Sequence, residues 1–181
     1  MGPGQQGLAC LVASLAAGAD QVFVSGLGRD TFRLGVARRL GAHATIDVEA
    51  DDVTQRIREL TAGRGVDAIV DCTSGRSSGL LADCLDWLKR RGGVIVAQGV
   101  PSVPDFPLEK MTRKYVTLKS ARGHSYAAVE LGLHHLAAGR FRLDLLTTDS
   151  FGLAGVDTAI RSTAGEVRRE SIHVTVDPWR D

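Results

Sequence analysis

The stretch Gly2-Pro3-Gly4-Gln5-Gln6-Gly7, followed by the Ala- and Leu-rich segment 8–17, decides the fold of this chain. It matches G-x-G-x-x-G, the pattern of a phosphate-binding turn. In such a turn the first glycine allows a tight bend, the second lets a pyrophosphate approach the backbone, and the third lets the next helix pack closely on a sheet. The helix N-terminus then offers free N–H groups to the phosphates. A purely structural turn is the alternative, because 21 of the 181 residues are glycine.

Apolar segments alternate with helical patterns along the rest of the chain. Helices are predicted at residues 8–17, 31–40, 53–60, 77–88, 126–138 and 156–163, and strands at 21–25, 44–47, 66–72, 94–98, 115–120 and 172–176. Near-continuous apolar strands separated by helices are typical of a parallel sheet that is covered on both faces. The sequence therefore predicts the α/β class with a doubly wound parallel sheet.

One strand that such a fold requires is missing before the glycine motif, because only Met1 precedes Gly2. That strand is central in a doubly wound sheet, and its loss leaves the facing edges of both neighbouring strands unpaired. We therefore expect an N-terminally truncated fold in which Met1 marks the end of the lost strand.

The composition of the chain indicates which class of molecule it binds. Lys and Arg number 22 against 21 Asp and Glu, which gives a formal net charge of +1. This balance lacks the basic surface by which nucleic-acid binders and membrane-surface proteins capture polyanions, so a small molecule is the expected partner. The longest apolar stretch, 8–17, is much shorter than the roughly 20 residues of a bilayer span. Three cysteines without a Cys-x-x-Cys pair, and no signal-like N-terminus, favour the cytoplasm.

The residues about 20 positions after the motif bear on the choice between NAD and NADP. An Asp or Glu there normally holds the adenosine ribose of NAD, whereas this chain has Ser25-Gly26-Leu27. Without a carboxylate a 2′-phosphate is tolerated, and Arg29 is close enough to pair with it, which favours NADP. In the alternative, Arg29 is solvated and Asp30 serves the ribose of NAD.

Several further blocks, in the same order, resemble one family. They are Arg33-Leu34 with Ala37-Arg38-Arg39-Leu40-Gly41-Ala42, Gly63-Arg64-Gly65-Val66-Asp67, Gly92-Gly93-Val94-Ile95-Val96 with Gly99, Leu136-Ala137-Ala138-Gly139-Arg140 and Val174-Thr175-Val176-Asp177-Pro178. With the glycine motif they cover nearly the whole chain. They resemble the cofactor-binding half of the medium-chain dehydrogenase/reductase superfamily, and in particular its zinc-dependent alcohol and polyol dehydrogenases. The resemblance implies a six-stranded Rossmann domain that binds NAD or NADP for hydride transfer with an alcohol or carbonyl substrate.

The resemblance also implies which residues contact the dinucleotide. The expected contacts are Gly2, Gly4, Gln5, Gln6, Gly7 and His173 at the pyrophosphate, Gly26 and Arg29 at the ribose, Thr73 and Ser74 on the adenosine side, Gln98, Gly99 and Val100 at the nicotinamide ring, and Ser120, Ala121 and Arg122 at its carboxamide. Simpler roles stay open for several of them. Thr73 and Ser74 can cap the following helix, and Arg122 and His173 can be solvated.

The family's zinc ligands are implied to lie in a preceding domain that these residues do not include. Within 1–181 we therefore expect no metal site and no catalytic residue, and no activity from this chain alone, because zinc would polarise the substrate oxygen. Residues 1–145 are expected to form the truncated dinucleotide-binding domain and 146–181 a segment returning toward the catalytic domain. The family also implies a homo-oligomer formed through the sheet edge at 115–120.

Two alternatives to an enzyme half stay open. One is a non-catalytic NAD(P)-binding module or truncated remnant. The other is a Rossmann-like methyltransferase, which the blocks after residue 60 disfavour.

Overall fold

The computed structural model describes residues 1–73, 78–98, 103–168 and 170–180. Its helices are α1 (Gln5–Ala16), α2 (Thr31–Arg39), α3 (Val53–Leu60), α4 (Ser78–Trp87), α5 (Leu108–Arg113), α6 (Tyr126–Ala138) and α7 (Val156–Thr163). Its strands are β1 (Phe23–Gly26), β2 (Ala44–Asp47), β3 (Ala68–Asp71), β4 (Val94–Ala97), β5 (Thr117–Ser120), β6 (Thr147–Phe151) and β7 (His173–Val176). The predicted α/β class is confirmed.

All described strand pairs are parallel. β1 pairs with β2, with Phe23 opposite Ala44, and β3, β4 and β5 form a continuous sheet in which β4 is central. β6 and β7 pair with each other in a two-stranded sheet. The parallel sheet predicted from near-continuous apolar strands is therefore confirmed.

Local capping explains why two of the predicted helices have the bounds they do. The Asp52 carboxylate accepts a hydrogen bond from Gln55 N at 3.0 Å and so satisfies a free amide at the start of α3. Ser125 Oγ accepts from Ala128 N at 3.2 Å at the start of α6. Gly139, with φ +60°, ends α6 in the left-handed conformation that favours glycine.

Two elements were not predicted from the sequence. α5 is a six-residue helix directly after Pro107, in a segment where the prolines indicate a loop. β6 carries the polar sequence Thr-Thr-Asp-Ser-Phe, which lacks an apolar strand pattern. The carboxylate of Asp149 in β6 is buried, and this burial is tolerated because Ser171 Oγ donates to the carboxylate at 2.9 Å and the Arg168 guanidinium pairs with it. The predicted strand at 115–120 begins later, at Thr117, because Tyr115 has a φ of +52°.

Two apolar clusters form the core. The first joins β2, β3 and β4 to α3 and α4 through residues such as Ile69, Leu85 and Ile95. The second joins β1 to α1 and α2 through residues such as Leu8 and Val36. Among the described residues, no helix is both long enough and apolar enough to cross a bilayer.

A groove of about 820 Å³ lies between β1 and β3, with α1 along one side and Ile57 of α3 and Trp87 of α4 along the other. Met1 and Gly2 connect the two strands at one end of this groove. The Met1 amino group donates to Val70 O at 2.7 Å, and Gly2 N donates to Ser25 O at 2.9 Å. The backbone of Met1 and Gly2 therefore bridges β1 and β3 at this end.

Candidate functional site

The glycine-rich turn lies at the carboxyl ends of β1 and β3. Cys72 N donates to Met1 O at 3.0 Å, just after β3 ends. Gly2 has a φ of +83°, and a Cβ added to it would lie 3.0 Å from Cys72 O. Carboxyl ends of parallel strands are where ligands of such sheets bind. The turn is therefore in the crevice that a dinucleotide site requires.

The other two glycines of the motif differ from each other. A Cβ on Gly7 would lie 1.7 Å from Gly2 O, so only glycine lets α1 pack this closely on the turn. Around a Cβ on Gly4 no described atom lies within 4 Å, and its φ of −73° suits any residue. Gly4 therefore leaves open space in front of the backbone rather than relieving a contact within the protein.

The start of α1 suits an anion. Its N-cap residue, Gly4, provides no side-chain cap, and the first turn contains no acidic residue. The first amides of a helix have no acceptor within the helix, and they carry the positive end of its dipole. The amides of Gln5, Gln6 and Gly7 belong to this first turn, so the backbone there can hold phosphate oxygens.

The end of β1 is packed against the glycine-rich turn. Gly26 is buried, and a Cβ there would lie 2.7 Å from Pro3 Cγ. Gly28, two residues later, donates its N–H to Glu49 Oε2 at 2.8 Å. A Cβ on Gly28 would lie 3.3 Å from Asp47 Oδ2. Two carboxylates from the end of β2 thus lie beside the predicted ribose position.

A third carboxylate follows in the same loop. Asp30 Oδ2 accepts from Leu27 N at 3.1 Å, and Asp30 Oδ1 lies 3.4 Å from the Arg33 guanidinium. Arg29, the residue expected to pair with a 2′-phosphate, is exposed. Asp47 and Glu49 were not among the predicted site residues, because the usual position of the ribose carboxylate is the loop after the first predicted strand. The feature of the sequence that indicates them is a pair of acidic residues at the end of the next predicted strand.

Thr73 is held by a buried aspartate. Asp71, the last residue of β3, is 5% exposed. Its Oδ1 accepts from Thr73 N at 2.9 Å and from Thr73 Oγ1 at 2.7 Å. This fixes the backbone as it leaves the sheet toward the crevice. The other residue predicted on the adenosine side, Ser74, lies outside the described residues.

The ends of β4 and β5 come together near α1. Gln98 directly follows β4, and its Nε2 lies 3.9 Å from Cys10 Sγ in α1. Ala121 directly follows β5, and its N–H donates to Ala97 O at 3.0 Å. These two predicted nicotinamide contacts therefore share the carboxyl end of the sheet with the glycine-rich turn. Gly99 and Val100 lie outside the described residues.

The remaining predicted residues are less closely associated with the turn. Ser120 and Arg122 are exposed on either side of Ala121. His173 is the first residue of β7, and its carbonyl accepts from Thr148 Oγ1 at 3.3 Å. Among the described residues, the backbone hydrogen bonds of His173 lie within the β6–β7 sheet and do not join it to the glycine-rich turn.

The described residues do not form a zinc site. Across 1–73, 78–98, 103–168 and 170–180, no three His, Cys, Asp or Glu side chains lie together as ligands would. A zinc ion needs three or four such ligands.

Comparison with known proteins shows which family this chain resembles. A family model for zinc-binding dehydrogenase matches residues 7–138. A probable alcohol dehydrogenase of Mycobacterium tuberculosis (strain H37Rv) is 33% identical over 92% of this chain and 46% of its own length. Sorbitol dehydrogenase of Bacillus subtilis (strain 168) is 29% identical over 99% of this chain and 50% of its own.

The solved structures agree on the fold. A short chain alcohol dehydrogenase from E. coli CFT073, complexed with NADH, superposes with a TM-score of 0.81 at 22% identity, over 96% of this chain and 49% of that one. The chain spans about half the length of the relatives it matches. It belongs to the zinc-binding dehydrogenase family, and it corresponds to the cofactor-binding half of the family's alcohol and polyol dehydrogenases.

Proposed function

We propose that this chain binds a nicotinamide dinucleotide as the cofactor half of an alcohol or polyol dehydrogenase. The observation that carries the proposal is the uncapped start of α1, with open space in front of Gly4, at the carboxyl ends of β1 and β3. Glycines at this position allow a pyrophosphate to approach the backbone. Support also comes from the NADH in the structurally similar E. coli protein.

Each part of the dinucleotide has residues of this chain to hold it. The backbone amides at the start of α1 bind the pyrophosphate, and the loop that follows Gly26 lies beside the adenosine ribose. Gln98 and Ala121 contact the nicotinamide end, where the bound cofactor supplies the hydride donor or acceptor. The substrate proposed for the whole protein is a small alcohol or its carbonyl counterpart.

Gly4→Ala tests this proposal with little disturbance of the protein. The added methyl group meets no described atom within 4 Å, but it occupies the space through which the pyrophosphate must approach. We expect NADH binding, followed by calorimetry or nicotinamide fluorescence, to weaken at least tenfold. Gly132→Ala in α6 is the matched control, because its added methyl group also meets no described atom within 4 Å. Equal NADH affinity in both variants would remove the proposal.

The charge around the ribose position supports NAD over NADP. The sequence alone favoured NADP, because Gly26 stands where a carboxylate is usual. In the folded chain, Asp47 and Glu49 lie beside Gly28. Carboxylates there accept hydrogen bonds from a ribose hydroxyl and repel a 2′-phosphate. We expect tighter binding of NADH than of NADPH.

Glu49→Gln tests the origin of that preference. Removing the charge keeps an acceptor for Gly28 N and lowers the repulsion of a 2′-phosphate. The ratio of NADPH to NADH affinity should rise about threefold to tenfold, equivalent to roughly 1 kcal/mol. Glu130→Gln, an exposed change in α6, is the control. If NADPH already binds more tightly to the unaltered chain, Arg29 dominates and the NADP interpretation is correct.

The oligomer and the division of the chain are proposed with it. All four residues of β5 are exposed at the edge of the three-stranded sheet, which suits pairing with a second copy. β6 and β7 pair only with each other among the described strands, which supports a division between residues 145 and 146. Light scattering of the whole protein should give a multiple of its chain mass, and the mass of a single chain would contradict the oligomer.

A further inference from the structure

Two cysteines from different elements meet below the glycine-rich turn. Cys10 lies in the second turn of α1, and Cys72 directly follows β3. Their Sγ atoms are 3.7 Å apart. Both are half-buried and line the groove between β1 and β3. Cys84 of α4, in contrast, is completely buried.

We propose that Cys10 and Cys72 are a redox-active thiol pair that closes into a disulfide bond. The sulfurs need to approach by less than 2 Å to reach the bond length of about 2.05 Å. The bond would tie the start of the anion-binding helix to the end of β3.

The reaction is a thiol–disulfide exchange with a small disulfide such as oxidised glutathione. The Cys10 thiolate attacks one glutathione sulfur and releases the other glutathione as a thiolate, which takes up a proton. Cys72 then loses its proton and attacks Cys10 Sγ, which releases the second glutathione. Two protein thiols are oxidised, and one glutathione disulfide is reduced to two thiols.

The surroundings of the three cysteines assign their roles. The hydrogen bond from Cys72 is the largest influence on Cys10 and lowers its pKa to about 6, against the opposing effect of burial. The same hydrogen bond and burial raise the pKa of Cys72, and burial raises the pKa of Cys84 to about 12. Cys10 is therefore the attacking thiolate, Cys72 the resolving thiol and Cys84 a bystander.

The test is oxidation of the full chain with oxidised glutathione, followed by non-reducing peptide mapping. We expect the free thiols to fall from three to one, with a cross-linked peptide that contains Cys10 and Cys72 and a free thiol at Cys84. The melting temperature should rise by about 10 °C, since the bond closes a long loop, and dithiothreitol should reverse the rise. Cys84→Ser should form the same cross-link between Cys10 and Cys72, with its free thiols falling from two to none.

Cys72→Ser gives an independent view of the mechanism. Without the resolving thiol, Cys10 should keep one glutathione as a stable mixed disulfide. Cross-links that involve Cys84, bonds only between molecules, or three thiols that all resist oxidation would overturn the proposal. None of these outcomes depends on dinucleotide binding, so the result stands apart from the proposed function.

Discussion

The two sides of β3 are held together in different ways. Toward β4, a continuous ladder pairs residues Ala68 to Asp71 with Val94 to Ala97, and the packed side chain of Ile95 is fully buried. Toward β1, Met1 and Gly2 make the connection at one end, and the rest is the 820 Å³ groove. The same strand therefore has one side fixed by backbone pairing and another that presents backbone groups to open space.

The backbone direction shows which groups face the groove. Val22 O and Gly26 O accept from residues beside β2, and alternate residues of a strand point their polar groups to opposite sides. The backbone groups of Phe23 therefore face the groove. Asp67 O accepts from Val94 N on the other side of β3, so the backbone groups of the next residue, Ala68, face the groove. Unpaired backbone groups of this kind are a template for a further strand.

The largest expected change in the free energy of unfolding therefore comes from filling the groove with an added strand. Adding the extended segment Val-Leu-Val-Ile directly before Met1 should raise the free energy of unfolding by about 4 kcal/mol. Each buried apolar side chain contributes about 2 kcal/mol and each ordered residue costs about 1.5 kcal/mol, with new backbone hydrogen bonds adding about 1 kcal/mol apiece. Urea unfolding measures the change. A Gly-Ser-Gly-Ser extension is the control, and equal stabilities for both would show that the groove does not accept a strand.

A pair of isoleucines compares the packing on the two sides. Ile95→Ala on the continuous side should cost about 3 kcal/mol, because it leaves an enclosed cavity. Ile57 of α3 is 7% exposed and lines the groove. Because Ile57→Ala widens an existing space, it should lower the free energy of unfolding by only about 1.5 kcal/mol. Equal costs in urea unfolding would mean that the groove closes in solution.

Much of this arrangement is visible in the sequence. The position of α3 follows from apolar residues at helical spacing after Asp52, whose carboxylate caps the helix, and both rules act within a few residues. The glycine spacing likewise predicted the turn, because Gly7 allows a contact that any other residue would prevent. Local chemistry therefore accounts for most of the fold.

The features that the sequence did not predict are contacts between residues that lie far apart along the chain. β6 is a strand because it pairs with β7 and buries Asp149 against Ser171, 22 residues away. Glu49 reaches Gly28 from the loop after β2, and Cys10 meets Cys72 from another element. Neither spacing nor composition indicates such contacts, because they exist only once the elements have packed.

Two lysines give a smaller comparison of the two sides. Lys114 follows α5, and its Nζ donates to Leu85 O and, at 2.7 Å, to Leu88 O at the end of α4. Lys114→Met removes the donor from carbonyl groups in the packed half. We expect a loss of about 2 kcal/mol, the usual effect for hydrogen bonds to a charged group, by urea unfolding at pH 7. A loss below 0.5 kcal/mol would mean that water replaces the lysine.

The smallest effect belongs to Lys89, whose Nζ lies 2.8 Å from Asp67 Oδ1 at the rim of the groove. Asp67 is 85% exposed, so Lys89→Met should cost less than about 0.5 kcal/mol and lose even that in 1 M salt. The hydrogen bond from Lys89 lowers the pKa of Asp67. The pair's contribution is therefore present above the ordinary carboxyl pKa of about 3.9 and is lost as the pH falls through the lower folded value. An NMR titration of the Asp67 carboxyl should show that its pKa is higher in Lys89→Met than in the unaltered chain. A loss of stability as large as that of Lys114→Met would mean that the rim of the groove is as well packed as the continuous sheet.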